Sequence, residues 1–395
     1  MQPVIRLLIL GTGNMAAAHV AGFRSVPGCR IVAGVDTTLA RARAFCRQHA
    51  IPRAFAGLDA ALAWGQFDAV ANVTPDGIHH PTTMRLLAAG KHVLCEKPLA
   101  ETYPLAREMA DAAEAAGLVG MVNLSYRNVA ALQEARALVG RGALGQIRHV
   151  EASYRQSWLV ANTWGDWKTE DRWLWRLSTQ HGSKGVLGDV GIHILDFVTW
   201  ATDLEPVSLQ ARVHTFPKAE GDRIGAYPLD ANDSAVMSVA FANGALGVIH
   251  TSRFMTGYTN TLRLQVFGTA GALELEHNLA GTRLMLCDGD RVHDQSWREV
   301  RCNPVETNFA RFVEAIRTGR TLEPSFRRGA ELQRVLDACF EPAAQRDMRL
   351  VAAAPPPEPA AAVTPDSEAP ILVPELGRAV EQELEERVRA GAQPA

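Results

Sequence analysis

Lys97 stands between Glu96 and Pro98 at the end of an apolar run, His92 to Cys95, that reads as a β-strand. Partly buried against a bound molecule, with Pro98 fixing the chain behind it, such a lysine can share a proton with a substrate hydroxyl. The plainer reading is a surface lysine. Asp189 and His193 are four residues apart in Gly188-Asp189-Val-Gly-Ile-His193-Ile-Leu-Asp196, a spacing that puts both on one helix face. A carboxylate beside an imidazole can orient it and raise its basicity. That suits a general base removing a proton while hydride leaves the same carbon. The alternative is a helix-start acid with a core histidine.

These groups need a scaffold, and its clearest part runs from Val4 to Asp36. Val4 to Leu10 is an apolar run interrupted only by Arg6, expected to be a strand buried on both faces. Gly11-Thr12-Gly13-Asn14-Met15-Ala16 follows. Gly11 permits a tight turn, Gly13 leaves room for a pyrophosphate, and Ala16 lets the next helix, from Met15 to about Ser25, pack closely. The N–H groups at that helix start suit an anion. A second strand from Cys29 ends at Asp36, where a carboxylate can accept hydrogen bonds from the ribose hydroxyls of NAD and would repel a 2′-phosphate.

The alternation then continues, with helices over Leu39–Ala50, Leu58–Trp64, Thr82–Ala89 and Leu105–Ala116. Strands are expected over Ala69–Val73, His92–Cys95 and Val119–Leu124. This pattern predicts a parallel sheet with helices on both faces and a ligand crevice at the strand ends. There it would gather the glycine turn, Asp36, Thr74-Pro75, Glu96-Lys97-Pro98 and the stretch Asn123 to Arg127. Near residue 146 the rhythm changes. After a strand over Ile147–Tyr154 and a helix over Gly188–Thr202, strands are expected over Val207–His214, Ser234–Ala240, Ala245–Arg253, Thr261–Phe267, Ala272–Glu276, Arg283–Leu286 and Val292–Val300. Turn pairs such as Asn243-Gly244 fit an antiparallel meander. Helices return over Val305–Thr318 and Arg328–Phe340. The expected division is a cofactor-binding domain over 1–125, an α+β substrate and oligomerisation domain over 126–350, and a Pro/Ala-rich tail over 351–395. In that tail Leu376, Val380, Leu384 and Val388 mark a short amphipathic helix.

The bulk numbers fit this α/β plan. The chain has 395 residues, a net charge of −3 and no run of Lys or Arg, which argues against nucleic acid as the main partner. Six cysteines lie far apart with no C-x-x-C pair, so neither a disulfide framework nor a zinc site is expected. The N-terminal apolar run is too short for a signal peptide or a membrane span, and a cytoplasmic protein is the default. His79-His80 lacks the rest of a metal-ligand set.

The order G-x-G-x-x-A, Thr-Pro, Glu-Lys-Pro, then G-D-x-G-x-H-x-x-D resembles the Gfo/Idh/MocA family of NAD(P)-dependent oxidoreductases over roughly residues 3 to 345. The resemblance implies a Rossmann domain followed by an open, mostly antiparallel sheet whose outer face makes homodimers and homotetramers. By motif, Lys97 matches the family's catalytic lysine, and Asp189 with His193 its acid–histidine pair, the histidine being the proton acceptor in inositol-dehydrogenase-like members. Thr74-Pro75 and His79 resemble the stretch beside the nicotinamide, with Glu96 also on the cofactor side. Tyr126-Arg127 resembles the element beside the substrate. Thr37-Thr38 after Asp36 departs from the NADP-favouring type and supports NAD.

Trp158, Trp164, Trp167, Trp173 and Trp175 crowd one segment of a chain with eight tryptophans. Indole faces stack on sugar C–H faces, and Trp164 is taken as a substrate contact; packing beneath the sheet is the equal alternative. Arg172, Arg176 and Lys184 could bind hydroxyls or solvate the loop. The expectation is hydride transfer between a ring CH–OH of a sugar, cyclitol or polyol and NAD. The same residues would also serve redox-assisted elimination or glycoside cleavage, and a silent NAD-binding sensor is the reading from another class.

Overall fold

The computed structural model describes residues 4–345; the expected tail and its helix lie outside the described residues. Six parallel strands, β1 (Ile5–Leu10), β2 (Cys29–Asp36), β3 (Arg53–Ala56), β4 (Ala69–Asn72), β5 (His92–Cys95) and β6 (Gly120–Val122), form one sheet in the order β3-β2-β1-β4-β5-β6. The apolar run of β1 is explained by burial on both faces. Leu8 and Leu10 enter one core cluster, and Ile5, Leu7 and Ile9 enter the other. Helices α1 (Ala16–Arg24), α2 (Leu39–Gln48), α3 (Leu58–Trp64), α4 (Asp76–Ala88) and α5 (Tyr103–Ala115) connect the strands. The strand order reverses between β1 and β4, so the ligand crevice opens at their carboxyl ends.

Two local differences from expectation have simple causes. Strand β3 was not expected: Arg53-Ala-Phe-Ala is short and partly exposed, with no continuous apolar run. Helix α4 starts six residues before the expected Thr82 and contains Pro81. The Thr82 hydroxyl donates to the Ile78 carbonyl at 2.5 Å, and the Asn72 amide reaches the His79 carbonyl at 3.4 Å, so side chains serve carbonyls near the proline.

The second sheet comprises β7 (Ile147–Arg155), β8 (Pro206–His214), β11 (Ser234–Phe241), β12 (Leu246–Ser252), β13 (Thr261–Gly268), β14 (Gly271–Asn278), β15 (Gly281–Asp288) and β16 (Arg298–Glu299). A separate ribbon pairs β9 (Arg223–Ile224) with β10 (Tyr227–Pro228). The large sheet runs β16-β15-β14-β13-β7-β12-β11-β8. It departs from a simple meander because β7 inserts between β13 and β12 and lies parallel to β12. The strand expected over Val292–Val300 is reduced to β16, preceded by a helical turn at Arg291–Asp294.

Helix Ile192–Thr202 is buried at all but one of its positions, as its continuous apolar sequence requires. Helix Ala130–Gly140, which the sequence pattern did not single out, packs against it. Helices Asn308–Thr318 and Phe326–Phe340 return to the first sheet. Phe309 and Phe312 meet Phe23 of α1 edge-on at 4.9 and 6.1 Å, and the Tyr103 N–H donates to the Asp337 carboxylate at 2.6 Å. Among the described residues no helix is long and apolar enough to cross a membrane.

Candidate active site

The turn after β1 has the form its glycines demand. Gly11 adopts a φ of +92°, and a Cβ there would lie 2.6 Å from the Val73 carbonyl oxygen, so only glycine fits. A Cβ on Gly13 would meet nothing within 4 Å; the space in front of it is open. Asn14 and Met15 are exposed beside it, while Ala16 is fully buried against the sheet. No side chain caps the start of α1, so the positive end of its dipole faces the open space in front of Gly13. At the end of β2, Asp36 accepts from the Thr12 N–H at 3.1 Å, from the Thr12 hydroxyl, and from the Thr37 N–H at 2.8 Å. Burial works against its charge. These donors and Arg41 (3.5 Å away) nevertheless hold its pKa below the ordinary carboxylate value. An open cradle and an anionic strand end fit a dinucleotide.

Glu96 and His79 were expected beside the cofactor, and the structure assigns their side chains to support. Glu96 turns its carboxylate inward, where His19 Nε2 and Asn123 Nδ2 each donate to it at 2.7 Å. Burial opposes its ionisation, yet the His19 and Asn123 contacts bring its pKa down to about 2. It therefore ties α1 to the ends of β5 and β6. His79 is fully buried, and its two ring nitrogens lie 2.8 Å from the carbonyl oxygens of Pro98 and Thr74. The ring joins the two strand-end loops and has no nitrogen left for a ligand.

Lys97 projects into a cavity of about 620 Å³ whose walls include Met15, Thr74, Pro75, Trp175, Arg176 and Arg253. Its ammonium donates to the Asp189 carbonyl at 2.8 Å and to the Asp189 carboxylate at 3.2 Å. Arg176 and Arg253 reach the same carboxylate at 3.1 and 3.3 Å. Burial would raise the Asp189 pKa, but Arg176, Lys97 and Arg253 together hold it far below the ordinary range. The backbone explains why Asp189 faces this way. Over Leu187–Gly191 the chain widens into a π turn, whose hydrogen bonds span one residue more than those of an α-helix. From within this turn Asp189 meets Lys97 with both its carbonyl and its carboxylate.

His193, buried on the following α-helix, makes no hydrogen bond to Asp189. Its Nδ1 is sealed from solvent without a partner, and the Tyr126 ring meets it edge-on at 5.0 Å. Burial, reinforced by the positive charge of Lys97, pushes its pKa down to about 3, so the ring is neutral at pH 7. The Tyr126 hydroxyl is bonded to that of Tyr154 at 2.6 Å.

Arg127 is not available to a substrate. It is 1% exposed, donates twice to Asp196 at 2.6 Å, and lies 3.5 Å from the Trp200 ring centre. Burial of a lone guanidinium is costly, and Asp196, four residues past a helix start, supplies the compensating charge. Trp164 stacks on Trp173 at 6.0 Å within a satellite core that also holds Trp158, Trp167, Leu174 and Leu229. Trp175, from the same segment, is the one on the cavity wall. Arg253 carries no sequence signal: it follows β12 in an ordinary strand context, and the packing of β12 against the π turn brings it to Asp189.

Comparison with known proteins agrees with this layout. The model of the oxidoreductase family with an NAD-binding Rossmann fold matches residues 5–124, and that of the GFO/IDH/MocA C-terminal domain matches residues 132–274. The chain is 26% identical over 307 residues to levoglucosan dehydrogenase of Pseudarthrobacter phenanthrenivorans, covering 69% of this chain and 77% of that one. It is 25% identical over 351 residues to inositol 2-dehydrogenase of Rhizobium meliloti, covering 87% and 98%. The crystal structure of an oxidoreductase domain protein from Kribbella flavida superimposes with a TM-score of 0.74 at 29% identity, covering 86% of this chain and 96% of the other.

Proposed function

The chain belongs to the Gfo/Idh/MocA family of oxidoreductases with an NAD-binding Rossmann domain, and from that premise we propose that it moves hydride between a ring CH–OH of a sugar, cyclitol or related polyol and NAD. The observation that carries this reading is Lys97, held by Asp189 at the cavity wall beside Thr74 and Pro75. Relatives named for levoglucosan and inositol support the substrate class. Residues 1–125 are read as the cofactor domain and 126–350 as the substrate domain.

Gly11, Thr12, Gly13, Asn14 and Met15 would hold the pyrophosphate, and Asp36 the adenosine ribose. Thr74 and Pro75, on the cavity wall, would hold the nicotinamide end. When bound, NAD supplies the hydride acceptor. Lys97 works on the oxygen of the reacting carbon: its ammonium gives the proton when a carbonyl is reduced, and its amine takes it when an alcohol is oxidised. Asp189 fixes that nitrogen in place. His193 was expected to accept the proton, but a second proton on its ring would leave a buried Nδ1–H unpaired. Lys97 is therefore the favoured proton carrier of the two, and the His193 ring stays neutral. Tyr126 packs the imidazole into position.

The outer face of the large sheet exposes Val236, Leu246 and Val248, which supports pairing of two copies of the chain. Light scattering on the purified protein tests that. A screen of monosaccharides, inositols and anhydrosugars for net reduction of free NAD tests the reaction. Release of cleaved glycoside with no net NADH would favour redox-assisted elimination instead.

A further inference from the structure

The reacting cavity does not end at Lys97. A second cavity of about 480 Å³ adjoins it and shares part of its wall, including Asp76, Pro98, Lys184 and Gly188. Its far side is helix Phe326–Phe340, from which Gln333, Leu336 and Phe340 face it. Most polar groups near the junction are committed: Asn232 bonds Lys184 O and Leu187 N, and Ser183 bonds Arg176 O. A few are left over. Gln333 is 5% exposed, and its amide nitrogen is used by Asp337 at 2.8 Å, but its Oε1 is sealed without a partner. The side chains of Glu101, Thr102 and Lys184 make no hydrogen bond or ion pair among the described residues, and all three line the same cavity. Phe340 presents an exposed aromatic ring over the buried Leu336.

A buried amide oxygen without a donor is costly unless something supplies one. Acceptors, an ammonium and a hydroxyl around one cavity, with an aromatic ring among them, suit a ring bearing several hydroxyls and one apolar C–H face. Each cavity alone is of a volume that holds a small ligand.

Resting on the dehydrogenase reading above, we propose that the substrate is a glycoside of at least two units: one ring reacts at Lys97, and the second glycosyl unit occupies the side cavity against Gln333 and Phe340. A single sugar at Lys97 would leave the side cavity and the Gln333 oxygen unserved. The two-unit substrate would span both cavities along the wall they share at Asp76, Pro98 and Lys184.

The test compares kcat/KM for glucose and galactose with that for maltose, cellobiose, lactose and trehalose, in the wild-type protein and in Gln333→Leu and Phe340→Ala. At least one disaccharide should exceed its parent monosaccharide about tenfold. Both variants should lower the disaccharide-to-monosaccharide ratio by a similar factor. Phe340 is exposed, so its variant keeps the test valid should Gln333→Leu fold poorly. Monosaccharide turnover with no disaccharide preference, or a ratio that neither variant changes, overturns the side-cavity assignment and leaves the dehydrogenase reading standing. No turnover of any sugar overturns both.

Discussion

Lys97, at the end of a strand in the first sheet, hydrogen-bonds both the carbonyl and the carboxylate of Asp189 from the second half of the chain, at 2.8 and 3.2 Å. One side chain thus joins the cofactor-binding framework to the substrate side. Replacing it with alanine should lower kcat by about 10²–10⁴, the usual range for a positioned proton donor, while NAD affinity changes little. Steady-state kinetics beside a fluorescence titration with NADH separates the two effects.

Asp189→Asn removes the one carboxylate shared by Lys97, Arg176 and Arg253, leaving the fully buried Arg253 without its charge partner. The expected loss of stability is about 3 kcal/mol, read by urea denaturation at pH 7. A variant as stable as wild type would mean that the cluster is compensated elsewhere.

His193 gives a pH signature. Its pKa is about 3 in the folded protein against an ordinary value of 6.5. Between these values the unfolded chain binds a proton that the folded chain refuses, so stability falls as pH drops through this window, by up to ~1.4 kcal/mol per unit. Denaturation curves at pH 7, 6 and 5 should show a shallower loss in His193→Gln than in wild type. Glu96 enters only lower, as pH falls from its ordinary 4.5 toward about 2, because its pKa is depressed and its stabilisation belongs to the ionised form.

The two glycines of the turn should behave differently. Gly11→Ala places a methyl group against the Val73 carbonyl at a positive φ and should destabilise the fold. Gly13→Ala meets only open space, so melting should be near that of wild type while the Kd for NAD rises roughly tenfold or more. Calorimetric melting and NAD titration on both variants check this contrast.

Asp36→Ser should shift cofactor choice. The wild-type carboxylate, held anionic by Thr12 and Thr37, disfavours a 2′-phosphate, and its removal should raise the NADP-to-NAD ratio of kcat/KM by about tenfold. Paired assays with the two cofactors measure the ratio.

The first sheet was legible because β1 is apolar on both faces, and Gly11, Gly13, Ala16 and Asp36 each have a local steric or electrostatic reason to be where they are. Lys97 was legible by its strand end. The partners of Asp189 were not, since nothing adjacent in sequence shows that Lys97, Arg176 and Arg253 share its carboxylate. Arg127 looked like a substrate contact because nothing adjacent in sequence names its partner; Asp196 is 69 residues away. The tryptophan segment reads equally as a sugar-stacking surface or a packing layer, and most of it is a small core of its own, with Trp175 left for the cavity. Arg253 and Gln333 depend on strand order and on a returning helix, which composition and periodicity do not encode.

Lys97, in the proposed reaction, carries the proton of a sugar or polyol dehydrogenation. The most direct test is NADH formation from the substrate that gives the fastest turnover, by wild type and Lys97→Ala, with NAD binding measured on the same samples. Turnover in wild type and its loss in the variant, with NAD binding retained, is the expected result. Equal turnover in the two proteins, or tight NAD binding with no NADH formed from any sugar or polyol, would contradict it.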